Sequence, residues 1–364
     1  MWGGVDGLTE PDKPVLEVED LAVHYHGAGT TFRVVDGASL RLRREEILGL
    51  AGESGCGKST MVEGILRLVQ APGEIPSGRV LFHPRTGPAV DILRLGAEEV
   101  RRLRWTALAY VPQGSMNSLN PVARIADQLT DAMTAHGVPT DKITLSRLGS
   151  LLASVGLSPD LLSAYPHQLS GGMRQRVLIA NSLALGPDVV IADEPTTGLD
   201  VNAQRMVLET LLRARREHHS ALLFVSHDLA VHAELVDRVA VMYAGQVVEL
   251  GEVEEIFSTA LHPYTIGLLA SMPRMEGPRK RLFGIPGLAP SPANWPVGCR
   301  FHPRCPFAFD RCRSESPVSR EDASGHLVAC HLYEPTESKR LDAMRARLTL
   351  DGGRFGTRLQ DHPV

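Results

Sequence analysis

A chain of 364 residues is long enough for one large core and a smaller appendage, since domains usually run to about 100–200 residues. An apolar content of 43% against 22% charged residues is ordinary for a soluble globular protein, and a formal charge of −4 gives no overall electrostatic reason to bind nucleic acid. No run of about 18 apolar residues occurs, so no spanning helix is expected; Met1 to Val15 lack the basic flank and apolar stretch of a signal peptide.

Residues 1–14, rich in Gly, Asp, Glu and Pro, read as a loose tail. Ile47 to Ala51 is an apolar run leading into Gly52, and from Ser59 onward Met61, Val62, Ile65, Leu66, Leu68 and Val69 recur at helical spacing. The order is strand, glycine loop, helix. Residues from about 97 to 170 are richer in helix formers and hold few strand-like runs, which predicts a mainly helical insertion. Val189 to Ala192 and Leu222 to Val225 then flank a helical pattern carrying Met206, Val207, Leu208, Leu211 and Leu212. Strands alternating with helices predict a parallel sheet covered on both faces. Arg238 to Ala244 and Gln246 to Leu250 are two more strand-like runs, turning at Gly245. After Pro263 the prolines multiply through Pro296, marking a loop-rich extension over residues 261–340. Leu341 to Leu348 suggest a short helix within a tail that ends at residue 364.

Gly52-Glu53-Ser54-Gly55-Cys56-Gly57-Lys58-Ser59 fits G-x-x-x-x-G-K-[ST] between a strand and a helix, with Thr60 following in the helix. Glycines let successive backbone N–H groups curl around a phosphate at a helix N-terminus. Lys58 is placed to bridge the β- and γ-phosphates of a nucleotide, and the Ser59 hydroxyl to ligate magnesium. Cys56 occupies a position that tolerates any residue and reads as a space-filler rather than a nucleophile.

Val189-Val190-Ile191-Ala192-Asp193-Glu194 is a buried-strand run ending in two acids. Asp193, at the end of a strand beside the phosphate loop, suits support of magnesium through water. Glu194 faces the other way, toward an attacking water, as candidate general base. Leu169-Ser170-Gly171-Gly172-Met173-Arg174 opens a second helix with Ser170 as N-cap and two glycines that leave the backbone bare. That anion-ready helix start cannot serve a nucleotide already cradled by the first, so it points to one held by another copy.

In this LSGG segment the sequence resembles the ATP-binding-cassette family, in which two nucleotide-binding subunits pack head to tail and each offers its signature to the partner's ATP. The resemblance covers Leu16 to about Phe257. It implies an α/β P-loop NTPase fold, a RecA-like core with an antiparallel β subdomain and the helical insertion, over residues 15–260. Further family marks follow in order: Gln113 after Tyr110-Val111-Pro112, the turn Thr197-Gly198-Leu199-Asp200, and His227 in Val225-Ser226-His227-Asp228. The resemblance implies that Gln113 contacts magnesium and the attacking water, that His227 holds the γ-phosphate, that Ser170, Gly171, Gly172 and Asp200 act across the dimer, and that Tyr25 stacks on adenine.

His262-Pro263-Tyr264-Thr265 and Gly298-Cys299-Arg300-Phe301-His302-Pro303-Arg304-Cys305-Pro306 are similar to the tail of the oligopeptide and dipeptide importer branch, as are Tyr165-Pro166-His167-Gln168 and Ala192-Asp193-Glu194-Pro195-Thr196-Thr197. This implies peptide uptake driven from the cytoplasmic face of the membrane, with a second cassette subunit, two permeases docked near Gln113, and an external binding protein. Sugar importers share the tail, and Met116 to Pro121 suit either, so an oligosaccharide stays open. A soluble cassette ATPase outside transport is the rival from another class. Such proteins usually carry two cassettes or a long coiled coil, and neither is present.

Cys299, Cys305, Cys312 and Cys330 are separated by five, six and seventeen residues. Two disulfides, a zinc site and an iron-sulfur cluster are all compatible with four thiols in a segment with little core, as is no metal. A reducing compartment disfavours disulfides, and the absence of C-x-x-C pairs disfavours zinc. Some members of the peptide-importer branch carry a four-iron four-sulfur cluster on matching cysteines, which the resemblance implies here.

Overall fold

The computed structural model describes residues 13–27, 29–114, 118–272 and 284–350. Most of the expected N-terminal tail, Met116 and Asn117, and the last residues fall outside that description.

The chain opens with two long strands, β1 (Pro14–Gly27) and β2 (Thr30–Arg43), paired antiparallel. A short strand β3 (Ile47–Ala51) and helix α1 (Lys58–Ile65) follow, then β4 (Gly73–Phe82) and β5 (Val90–Asp91). β4 pairs with β1 and β5 with β4, both antiparallel, giving a four-stranded sheet in the order β2-β1-β4-β5.

Next come α2 (Ala97–Leu103), β6 (Leu108–Val111), α3 (Ile125–Thr134), α4 (Lys142–Ser154) and α5 (Gly171–Leu183). β7 (Val189–Asp193), α6 (Val201–His218), β8 (Ala221–Val225), α7 (Leu229–Leu235), β9 (Arg238–Tyr243) and β10 (Gln246–Glu252) complete the alternation. α8 (Val253–Thr259) closes the cassette, and beyond it come α9 (Pro263–Ala270), α10 (Asp310–Ser314), β11 (Arg320–Glu321), β12 (Leu327–Val328) and α11 (Ser338–Leu350). Among the described residues the large sheet runs β11-β12-β10-β9-β3-β8-β7-β6. β9, β3, β8, β7 and β6 are parallel, while β10 pairs antiparallel with β9 and β12 antiparallel with β10.

The central strands read as unbroken apolar runs because both of their faces are buried. In β3, Ile47 and Ala51 join the core beneath α5 and α6, whereas Leu48 and Leu50 join the core shared with α1 and the antiparallel sheet. β7 and β8 divide in the same alternating way, Val190, Ala192, Leu222 and Phe224 to one side and Val189, Ile191, Leu223 and Val225 to the other. The parallel register of β3, β7 and β8 brings their ends together at the carboxyl edge of the sheet, where ligands bind in open α/β folds.

The helical insertion expected over residues 97–170 also contains β6, an edge strand of the large sheet paired with β7. Four residues are too few to announce a strand, and the register that defines it comes from Val189 to Ala192, far along the chain.

The extension shares the main core. Phe301 is 1% exposed and packs against Tyr243 and Tyr264 with ring centroids 5.2 and 5.5 Å away; Tyr243 and Tyr264 are 4.5 Å apart. Glu249 on β10 is fully buried and accepts from the backbone N–H groups of Leu261 (2.6 Å) and His262 (3.0 Å), with His326 Nε2 at 2.9 Å. Strand β12 pairs Val328 and Leu327 with Glu249 and Leu250. Phe301→Ala should cost about 3–5 kcal/mol, read as an earlier urea midpoint for the whole chain. A separate early transition, with the main one unmoved, would show that the extension unfolds by itself.

Candidate active site

The phosphate loop leaves β3 and enters α1 with Gly52, Gly55 and Gly57 at φ of 149°, 81° and 108°. At Gly52 the glycine is obligatory, since a Cβ would lie 2.2 Å from the backbone oxygen of Met242 in β9. Lys58 is 5% exposed, and its Nζ donates to the carbonyls of Gly52 (2.8 Å) and Glu53 (3.3 Å), so its charge points into the loop. Cys56 is buried and its thiol pushed up by burial, which keeps it protonated. These features form a cationic, amide-lined cradle at a helix N-terminus, suited to a polyphosphate.

Glu194, just past the end of β7, adopts the left-handed conformation with φ of 46°, which is uncommon for a residue with a side chain. Its backbone N–H donates to Val225 of β8 at 2.9 Å, fixing the bend. Oε2 accepts from Gln113 Nε2 (3.2 Å) and Thr197 Oγ1 (2.9 Å), and Oε1 lies 3.1 Å from His227 Nδ1. Burial works to raise this carboxyl, but the hydrogen bonds from His227 and Thr197 outweigh it and hold it below the usual range. A carboxylate kept ionised, with acceptor capacity left over, is equipped to take a proton.

Asp193 is 1% exposed. Burial pushes its carboxyl up, and the Ser59 hydroxyl opposes that by favouring the charged form. Oδ2 accepts from Tyr110 Oη at 3.4 Å, whereas Oδ1 is buried with no hydrogen-bond partner. An orphaned buried carboxylate oxygen beside the Ser59 hydroxyl is the donor set that a hard cation such as magnesium takes. Tyr110 and Thr197 are site residues that motif spacing did not single out: Tyr110 reaches Asp193 across the sheet, and Thr197 reaches Glu194 within their shared turn, each through one hydroxyl.

Ser170 caps α5, its Oγ accepting from Met173 N–H at 3.3 Å, and Gly172 closes so tightly on α6 that a Cβ would lie 2.9 Å from Ala203 Cβ. Asp200 caps α6 by accepting from Ala203 N–H at 2.9 Å. Ser170 and Asp200 are both exposed, outside the group gathered around Glu194. Tyr25 lies half-buried on β1 against α1, with Oη donating to Glu63 at 3.3 Å.

Cys299, Cys305, Cys312 and Cys330 line one cavity together with Phe301 and Phe307, and none forms a disulfide. Burial pushes Cys299 up to about 11 and Cys305 up to about 12. Among the described residues, no group of three or more His, Cys, Asp or Glu is placed to hold a single metal ion. No described helix is long and apolar enough to cross a membrane.

A nucleotide cradle and a restrained carboxylate at the carboxyl edge of this sheet define an ATP-binding cassette, and a family model described as ABC transporter matches residues 35–197. A second, described as oligopeptide/dipeptide transporter, C-terminal region, matches residues 248–312. The chain is 42% identical to the dipeptide transport ATP-binding protein DppD of Caldanaerobacter subterraneus over 88% of its length and 97% of the relative's. It is 40% identical to DppD of Escherichia coli (87% and 96%) and to the oligopeptide transport ATP-binding protein AppD of Bacillus subtilis (88% and 97%). Among solved structures it is similar to an ATP-binding subunit of an ABC transporter, at TM-score 0.53 and 27% identity over 66% of this chain and 91% of that one. The chain belongs to the ATP-binding-cassette ATPases, in the branch that carries the oligopeptide/dipeptide transporter C-terminal region.

Gly52→Ala tests the cradle. Backbone strain of about 1–3 kcal/mol and displacement of the loop should abolish binding of a fluorescent ATP analogue while the chain still folds. Retained affinity would show that the loop tolerates a side chain there.

Proposed function

We propose that this chain is the ATP-hydrolysing subunit of an importer for dipeptides or short oligopeptides, acting at the cytoplasmic face of the cell membrane. On this reading it works with a second cassette subunit, either a paralogue or a copy of itself. Two permeases and an external binding protein complete the transporter. The observation that carries the proposal is the Glu194 carboxylate, held by Gln113, Thr197 and His227 beside a glycine-lined phosphate loop. The substrate class rests on relatives named for dipeptide and oligopeptide transport along nearly the whole chain.

The residues divide the work as follows. Amides of residues 52–60 and the Lys58 ammonium bind the phosphates, and Tyr25 offers its ring to adenine. Ser59, Asp193 and Gln113 are the residues that would hold magnesium, which neutralises phosphate charge. Gln113 and Thr197 orient Glu194, which accepts the proton of the attacking water, while His227 steadies the γ-phosphate. Ser170, Gly171, Gly172 and Asp200, exposed or at bare helix starts, serve the nucleotide of the facing subunit. Residues 15–260 make up the ATPase domain, with 261–340 as the extension.

The transporter reconstituted in liposomes should show ATPase activity and dipeptide uptake that rise together. Glu194→Gln should retain ATP binding and lower both by about 10²–10⁴-fold. Stimulation by an oligosaccharide alone would overturn the substrate class, and full activity of the isolated chain in solution would favour the non-transport rival.

For the extension we propose a four-iron four-sulfur cluster on Cys299, Cys305, Cys312 and Cys330. The four thiols line one shared cavity, and their wide, uneven spacing without a C-x-x-C pair favours a cluster over zinc. Anaerobic purification should give a brown protein with iron and sulfide in equal amounts. A colourless preparation containing zinc or no metal would reject the cluster.

A further inference from the structure

We propose that Arg304, on the cysteine-bearing extension, is a positioning residue for the nucleotide: it neutralises and holds Glu53 of the phosphate loop, so that ATP affinity depends on the extension. The inference rests on the ATP-site reading above and adds a residue outside the cassette motifs.

Glu53 is gripped at both ends by the extension. Its carboxylate accepts from Arg304 Nη1 at 2.7 Å and Nη2 at 3.0 Å, a two-pronged pair between residues 251 apart in sequence. Its backbone N–H donates to Tyr264 Oη at 2.9 Å. The guanidinium is itself fixed, because Nε donates to the Pro286 carbonyl at 2.9 Å, Nη1 lies 3.4 Å from Tyr243 Oη, and the residue is 8% exposed. A second arginine of the extension braces the segment next to the loop. Arg300 donates to the Ala244 carbonyl and to Asp36 and stacks at 3.8 Å on Trp295, which lies against Gly245; the Gly245 N–H donates to the Cys56 carbonyl at 2.8 Å.

The charges explain why this pair matters to binding. Glu53 contributes its carbonyl to the Lys58 ammonium, so it belongs to the wall of the phosphate cradle. Left unpaired, its carboxylate would set a negative charge beside a ligand of the same sign and would be free to swing toward the phosphate-binding lysine. Arginine answers both problems, since its planar fork matches a carboxylate in charge and direction, which an ammonium on a flexible stem does not.

The test reads ATP affinity on the full chain and KM and kcat on the reconstituted transporter, with the chain's melting temperature as control. Arg304→Ala should raise KM about tenfold or more with kcat nearly unchanged, and Arg304→Lys should fall between Ala and native. Adding Glu53→Gln to Arg304→Ala should recover most of the affinity, because the repelling charge is then gone. Unchanged KM in Arg304→Ala, or a raised KM that Glu53→Gln does not relieve, would overturn the proposal and leave the arginine a merely structural part of the extension. Should Arg304→Ala not fold, the doubly neutral Glu53→Gln/Arg304→Gln chain against Arg304→Gln alone makes the same comparison. A native chain that binds no ATP strikes the ATP-site reading itself, a different failure from equal affinities in native and variant.

Discussion

Three segments distant in sequence, at Gln113, the turn from Glu194 to Thr197, and His227, meet at one carboxylate, and the site exists only because the parallel register brings them there. Ala192 and Asp193 of β7 stand opposite Phe224 and Val225 of β8, and the Glu194 N–H closes the ladder on Val225. A slip of one residue would exchange the faces of Asp193 and Glu194 and send the base candidate into the core. The buried alternation of β3, β7 and β8 between two apolar cores is what forbids that slip. The geometry at Glu194, left-handed φ included, is therefore held by the hydrophobic packing of the strands that end beside it.

Much of this was legible in the sequence because it is local. Strand, glycine loop and helix over residues 47–65, the acidic end of β7 and the N-cap role of Ser170 depend on neighbours within a few positions. What was not legible depends on pairing across the chain. β6 is four residues long and takes its identity from β7; Tyr110 acts through a single hydroxyl that the fold aims at Asp193, 83 residues away. The bond between Glu53 and Arg304 joins the two ends of the molecule, and no periodicity in either segment announces it.

The sequence of the proline-rich extension predicts an appendage with little core of its own. It has little core because it borrows one. Tyr264 and Phe301 are among the largest fully buried side chains of the whole chain, and both pack on Tyr243 of β9, the strand against which the phosphate loop turns. The cavity lined by the four cysteines shares Phe301 with that aromatic cluster, so the cysteine segment and the cassette are packed through one ring.

The short pairing of β12 on β10 bears also on how copies of the chain behave toward one another. β10 forms the rim of the cassette proper, and Ala329, Val328 and Leu327 occupy backbone groups along it that would otherwise stand open. A chain cut after α9 would offer a bare ladder of donors and acceptors, with Val248 and Leu250 beside it, to any extended segment nearby. The extension is thus also a seal, and removing it would invite cassettes to stick to each other edge to edge rather than face to face.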